Sequence, residues 1–273
     1  MERFTHLGRP IDLTYPTNRW IVVIVASTLI TVAGWGLLAQ RLLLSDALLQ
    51  GAEFAGAVFL AWALGRETDP DAEIMAFFVI PPTILLVSWL GKPAFDLLFL
   101  TLLLMRVVNR TIGLVAKPGD VILVLVLTAW VAHDGAWYIV LCTAMAFALD
   151  GFLIQPRPSH RWVAILLAVV SLFLFITTGW LYNPILPTSL LWLVCAGVLG
   201  PMAMLLYTPK IQSKSDHGGP IHLQRLQASW LLALLLAIVS ACFGAQGLAT
   251  LSPVWSVLIV AGIYRLALRT RTL

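Results

Sequence analysis

The sequence predicts an all-α, polytopic helical integral membrane protein with about ten short transmembrane helices. Three observations predict it: 60% of the 273 residues are hydrophobic, only 11% are charged, and apolar runs recur along the whole chain. Soluble domains carry about 25% charged residues, so a soluble core does not account for this composition. Apolar runs of about 20 residues cross a bilayer as helices, and repeated runs indicate a multi-pass protein.

Ten apolar segments are the candidate spans. They are residues 19–39, 46–64, 73–90, 94–108, 120–134, 136–154, 161–181, 188–207, 227–247 and 253–268. The segments within 94–154 are the shortest, so two of them could form a re-entrant pair instead of spanning.

These spans divide the chain into four regions. They are a cytoplasmic N-terminal segment (1–18), an eight-helix membrane region (19–207), a mobile cytoplasmic loop (208–226), and two C-terminal membrane helices with a basic tail (227–273). The loop is predicted to be mobile because it is polar and contains Gly218, Gly219 and Pro220.

The distribution of positive charge predicts that both termini are cytoplasmic. With ten spans and an internal N-terminus, 15 of the 17 Lys and Arg residues fall on one side, and only Arg41 and Lys92 fall on the other. Cytoplasmic loops retain Lys and Arg in this way. We therefore expect a protein of a bacterial-type plasma (inner) membrane whose partner is the lipid bilayer. The net charge of +4 gives no reason to expect nucleic acid, and an oligomer is left open.

The motif GRETDPDAE, residues 65–73, concentrates acidic side chains in a mostly apolar chain. Asp69 followed by Pro70 is typical of a helix start, since Asp is a favoured N-cap and proline a favoured first residue. On this interpretation the motif begins the third span. The alternative is that its carboxylates hold a metal or a substrate.

Three consecutive inner loops predict a cytoplasmic polar cluster. Its members are Arg66, Glu67, Asp69, Asp71, Arg106, Asn109, Arg110 and Asp150. Arginine side chains pair well with carboxylates and phosphates. Two interpretations stay open: an ion-pair network that ties short helices together, and a binding site for a phosphate-bearing or carboxylate ligand.

The second span carries another polar signal. Asp46, Gln50 and Glu53 share one face of the predicted helix, and Glu53 lies roughly 10 Å along the axis from Asp46. A carboxylate at that depth faces a cavity, a partner or a proton pathway. We predict that these residues line a substrate pathway, with a glutamate that joins two helices as the alternative. No cationic partner is expected for Glu53, and Gly51 beside it predicts close helix approach.

Other local signals are fewer. Pro81 and Pro82 predict a break in the third span, because each removes a backbone donor. Phosphate-loop, dinucleotide, zinc-protease and nucleophile-elbow motifs are absent from the sequence. No metal site or cofactor is predicted, and His217 and His222 are interpreted as solvated loop residues.

Ten short spans with both ends inside are similar in layout to the drug/metabolite transporters. The acidic segments after spans two and six also resemble the layout of intramembrane prenyltransferases, whose Asp-rich motifs hold magnesium and a diphosphate. Glu67, Asp69 and Asp71 would form the first such segment, whereas Asp150 has no second carboxylate near it in the sequence.

The leading hypothesis is a transporter-like protein that binds or transports a small solute, with proton coupling through Glu53 as one form of the mechanism. The alternative is a membrane enzyme that acts on a phosphate-bearing prenyl or lipid substrate at the cytoplasmic face, and only this alternative requires magnesium. A third hypothesis is a non-catalytic subunit or assembly factor. A cavity at Glu53 favours transport, and a pocket at the cytoplasmic face favours the enzyme.

Overall fold

The computed structural model describes residues 5–179, 186–208 and 211–270, of which 75% are helical and none forms a β-strand. The all-α prediction is therefore confirmed. The helices are α1 (Pro16–Leu38), α2 (Leu44–Thr68), α3 (Met75–Phe78), α4 (Ile80–Leu90), α5 (Phe95–Asn109), α6 (Pro118–Val131), α7 (Trp137–Phe152), α8 (Pro158–Thr178), α9 (Leu191–Tyr207), α10 (Leu223–Ala241), α11 (Gly244–Thr250) and α12 (Ser252–Thr270). A 3₁₀ turn, Thr188–Leu190, leads into α9.

Five helical stretches are long and apolar enough to cross a membrane. They are Pro16–Leu38, Leu44–Thr68, Pro158–Thr178, Thr188–Tyr207 and Leu223–Ala241. The pair α11 and α12, bent by 70°, makes a sixth if it acts as one span. Each of the ten predicted segments contains a helix, but several of these helices are short, and the predicted count of about ten spans is not confirmed.

The outer helices α1 and α8 expose much of their apolar surface. Ile30 in α1 is 68% exposed, and Ile176 in α8 is 70% exposed. Contiguous apolar surface of this kind is suited to contact with lipid or with a partner. Together with the long apolar helices, it is consistent with an integral membrane protein.

The core centres on α5, most of whose side chains are buried between α2, α7 and α10. Glycine permits close approach at two helix pairs. A Cβ added to Gly51 would lie 2.6 Å from the Leu29 carbonyl oxygen of α1, and one added to Gly200 would lie 2.0 Å from the Leu258 carbonyl oxygen of α12. Neither space admits a side chain, so the close approach predicted for Gly51 is confirmed.

The DPDAE motif does not begin a helix. The helix α2 continues to Thr68, and Asp69 is its C-cap residue, whereas α3 begins at Met75. The prediction that Asp69 is an N-cap is therefore wrong. Its carboxylate instead accepts a hydrogen bond from Arg265 of α12.

The helical hydrogen-bond pattern of the third span is interrupted at Val79, just before the two prolines, although Val79 keeps helical backbone angles. The helix α3 ends at Phe78 and α4 begins at Ile80, which places Pro81 in the first turn of α4. A proline costs little there, because the N–H that it lacks has no partner within the helix.

Contacts between helix ends define a polar face of the bundle, here called the cluster face. The ends of α2, α5, α7 and α12 meet the starts of α8 and α10 there. At the opposite ends, the Ala94 N–H donates to the Thr250 carbonyl oxygen at 3.1 Å.

The loop before α10 lies at the cluster face. An antiparallel bridge joins Lys214 to Pro220, and α10 begins at Leu223, so the loop ends earlier than the predicted 208–226. The Ser213 N–H donates to Asp71 at 2.7 Å. The loop thus contacts the turn after α2, and its predicted mobility stays a prediction.

Candidate functional site

Glu67 is the first buried centre of the polar cluster. Its side chain has no exposed surface, and Arg106 Nε donates to its Oε1 at 2.8 Å. Arg9 Nη1 lies 3.7 Å from the same oxygen, and Thr111 Oγ1 donates to Oε2 in a short hydrogen bond. Asn109 Nδ2 donates to the Glu67 backbone carbonyl at 3.2 Å. The predicted members Glu67, Arg106 and Asn109 therefore contact each other directly.

Asp150 is the second buried centre. Arg110 Nε donates to its Oδ1 at 2.7 Å, and Arg225 Nη1 donates to the same oxygen at 2.8 Å. His160 Nδ1 lies 2.8 Å from Oδ2. Two guanidinium groups therefore share one carboxylate, and one of them comes from α10.

The two aspartates of the opening motif lie in different environments. Asp69 is buried, and its Oδ1 accepts from Arg265 Nη2 at 2.6 Å. Burial raises the pKa of Asp69 above its ordinary value, against the opposing effect of Arg265. Burial also acts to raise the pKa of Asp71, but hydrogen bonds from Ser213 and Gln212 outweigh it and hold that pKa below its ordinary value.

The buried carboxylates of the cluster are occupied by arginine. Glu67, Asp69 and Asp150 each accept a hydrogen bond from a guanidinium group. Across residues 5–179, 186–208 and 211–270, no group of three or more His, Cys, Asp or Glu side chains is arranged to hold a metal ion. These contacts are those of an ion-pair network, which joins α2, α5, α7, α10 and α12 at one face.

Arg66, the remaining member of the cluster, lines a polar chamber of about 780 Å³. Its Nη1 donates to Asn18 Oδ1 at 3.1 Å, its Nη2 lies 3.5 Å from Glu73, and its guanidinium lies over the Trp62 ring, 5.4 Å from the ring centre. Arg9 also lines the chamber and donates two hydrogen bonds of 2.7 Å to Asp216. The chamber therefore presents both guanidinium and carboxylate groups.

The N-terminal segment forms a wall of this chamber because α6 and α5 hold it in place. Asp120 of α6 accepts from Thr5 Oγ1 at 2.5 Å and from the His6 N–H at 2.9 Å. Arg106 Nη1 donates to the Leu7 carbonyl oxygen at 2.9 Å. Residues 5–7 are thus tied to α5 and α6 by hydrogen bonds.

An apolar groove of about 330 Å³ adjoins the chamber. The two cavities share the lining residues Thr5, Gly8, Arg9, Pro10, Asn18 and Arg66. The other walls of the groove include Phe59, Leu60, Phe99, Leu103 and Leu123, from α2, α5 and α6. Phe99 and Leu123 are 40% and 46% exposed, so the groove opens towards the apolar flank of the bundle.

The predicted pathway residues of α2 do not share one environment. Asp46 is exposed. Gln50 Oε1 is buried against α1 and has no hydrogen-bond partner within the described ranges. Glu53 Oε1 lies 2.5 Å from Lys92 Nζ, so the expectation that Glu53 has no cationic partner is wrong. The turn after α4 places Lys92 beside α2, and a role for Glu53 in transport stays a prediction.

Several partners in the network were not predicted from the sequence. They are Arg9, Asp120, Asp216, Arg225 and Arg265. Arg225 lies in the first turn of α10 and Arg265 lies near the end of α12, so both look like ordinary charges at helix ends in the sequence. No local pattern indicates that either side chain is buried against a carboxylate.

Comparison with known proteins adds no relative. No family model, no curated protein and no solved structure matches the chain.

Proposed function

We propose that this chain is a polytopic membrane protein that binds a lipid-like amphiphile at the cluster face. The polar head would occupy the chamber, and the apolar chain would occupy the groove. The observation that carries this proposal is that the two cavities have six lining residues in common, Arg9 and Arg66 among them. Ligand sites in proteins are mostly apolar concavities with a few polar groups that orient the ligand.

The chamber favours a zwitterionic phosphate-bearing head group. Arg9 and Arg66 supply guanidinium groups, which bind phosphate oxygens well. Asp12, Glu73 and Asp216 supply carboxylates that would face an ammonium group. The proposed ligand is a phosphate-bearing lipid, as in the enzyme hypothesis. Here the protein binds this lipid, and no residue is assigned a catalytic role.

Blocking the groove tests the proposal. In Leu60→Trp, a larger side chain fills the groove, and we expect a single-chain phosphocholine lipid to bind at least tenfold more weakly, a loss of about 1.4 kcal/mol. Native mass spectrometry in a neutral maltoside detergent measures the bound fraction. Leu48→Trp is the matched control, because Leu48 lies on the same helix and is 47% exposed outside both cavities. Equal lipid retention by Leu60→Trp and wild type would refute the proposal.

We also infer that the ten helical segments alternate across the bilayer, with both termini and the loop before α10 in the cytoplasm. Two observations support this arrangement. The Lys and Arg residues concentrate in alternate loops. Side chains from the helix ends that this arrangement places inside are in contact, as in the pairs Arg110 with Asp150 and Asp69 with Arg265. The short helices would then cross the bilayer where it is locally thinner.

Cysteine labelling tests this topology. In a chain whose native cysteines are replaced, a membrane-impermeant maleimide should label Ser45→Cys in intact cells and should leave Lys214→Cys unlabelled until the cells are permeabilised. Ser45 and Lys214 are both exposed, and they lie at the start of α2 and in the loop before α10. Labelling of Lys214→Cys in intact cells would exclude a cytoplasmic loop.

A further inference from the structure

A separate cavity of about 220 Å³ lies between the loop before α10 and the ends of α5 and α7, and is here called the loop cavity. Arg110, Arg225, His222 and Ser215 are among its lining residues. It shares no lining residue with the polar chamber or the apolar groove. A ligand of the loop cavity would therefore be distinct from the amphiphile proposed above.

The charges around the loop cavity do not balance. The side chains of Arg110 and Arg225 are 8% and 1% exposed, and both pair with the single carboxylate of Asp150. Arginine remains protonated in proteins, so one positive charge is left in excess. His160 Nδ1 lies 2.8 Å from the other carboxylate oxygen of Asp150, and a histidine side chain adds no negative charge. Backbone carbonyl oxygens of Gln155, Ile154 and Val108 accept hydrogen bonds from the two guanidinium groups but carry no net charge. An anion in the cavity would supply the missing counter-charge.

Two buried nitrogen atoms at the cavity have unused hydrogen-bonding capacity. His222 Nε2 has no hydrogen-bond partner within residues 5–179, 186–208 and 211–270. Arg110 Nη2 lies 2.7 Å from Asp150 Oδ1 but makes no hydrogen bond of good geometry within those same ranges. The helix α10 begins at Leu223, directly after His222, so the positive end of its dipole borders the cavity.

We propose that the loop cavity binds a phosphate-sized oxyanion, held by Arg110, Arg225 and His222. Guanidinium groups form strong charge-assisted hydrogen bonds with phosphate oxygens, and a tetrahedral anion accepts from several directions at once. The volume of about 220 Å³ exceeds the share of one water molecule severalfold and admits such an anion. The anion is either free phosphate or the phosphate of a head group that enters from the membrane surface.

Phosphate titration of the full chain tests this site. In neutral maltoside at constant ionic strength, with chloride as the replaced anion, calorimetry should detect one bound phosphate per chain. His222→Ala and Arg110→Gln should each weaken phosphate binding about tenfold or more, because each removes a hydrogen bond to a charged group. His133→Ala is the matched control, since His133 is exposed and lies outside the cavity, and it should bind as wild type does.

Nanodiscs separate the two sources of the anion. If a lipid head group is the ligand, adding phosphatidic acid to phosphatidylcholine discs should weaken the apparent affinity for free phosphate by competition. If free phosphate is the ligand, that affinity should be the same in both discs. Absence of phosphate binding by wild type in detergent and in both discs, or wild-type affinity in His222→Ala, would overturn the proposal. If Arg110→Gln does not fold, His222→Ala alone tests the phosphate site. Lipid retention in the groove is a separate measurement, so failure of the phosphate site and failure of the proposed function can be distinguished.

Discussion

Asp150→Asn is expected to lower the free energy of unfolding by about 3–5 kcal/mol, the usual cost of removing one partner from a buried ion pair. Asp150 is buried, and its carboxylate is the shared counter-charge of Arg110 and Arg225. Asparagine keeps the shape of the side chain and removes the charge. Both guanidinium groups would then be buried without a carboxylate partner, at the junction of α5, α7 and α10.

Equilibrium unfolding in mixed micelles measures this effect. Asp134→Asn is the control, because the Asp134 side chain is 84% exposed and its removal should change the free energy by less than about 1 kcal/mol. A loss in Asp150→Asn no larger than that of the control would contradict a structural role for this pair of arginines.

Glu67→Gln is expected to cost about 3 kcal/mol of unfolding free energy, for the same physical reason. Glutamine retains the size of the side chain and an oxygen for Thr111, but it removes the charge that faces Arg106 and Arg9. The double variant Glu67→Gln/Arg106→Gln should lose less than the sum of the two single variants, because the two side chains are in direct contact.

Glu73→Gln is the matched control for Glu67→Gln. Glu73 belongs to the same motif, but its side chain is 54% exposed and lies 3.5 Å from Arg66. Exposed pairs contribute about 0–1 kcal/mol, so this variant should unfold nearly as wild type does. Equal losses in the two variants would indicate that Glu67 contributes no more than a surface acid.

The positions of the helices could be predicted from the sequence. An apolar run has a favourable environment only in a bilayer or in a protein core, and a bilayer requires each backbone group to bond within its own helix. The break before Pro81 and the close approach at Gly51 follow from equally local properties, a missing donor and a missing side chain. The approach of the loops after α2, α5 and α7 was also predictable, because those loops carry complementary charges.

The pairing of those charges could not be predicted from the sequence. Asp69 and Arg265 are 196 residues apart, whereas the cap expected from Asp69-Pro70 is a local preference. A cap stabilises a helix by about 1 kcal/mol, whereas breaking a buried ion pair costs about 3–5 kcal/mol. The ion pair therefore determines the position of Asp69 once α12 brings Arg265 beside α2. No local sequence pattern indicates that α12 and α2 approach each other.

The cavities depend on tertiary structure for a similar reason. The chamber and the groove are lined in part by residues 5–18, whose first residues are held in place by Asp120 of α6 and Arg106 of α5. Glu53 is paired because the turn after α4 returns Lys92 to α2. Composition and periodicity describe single helices, so they predict which residues are apolar and which helix ends carry charge. The space between helices and the partner of each buried charge depend on contacts between distant parts of the chain, which only the folded bundle brings together.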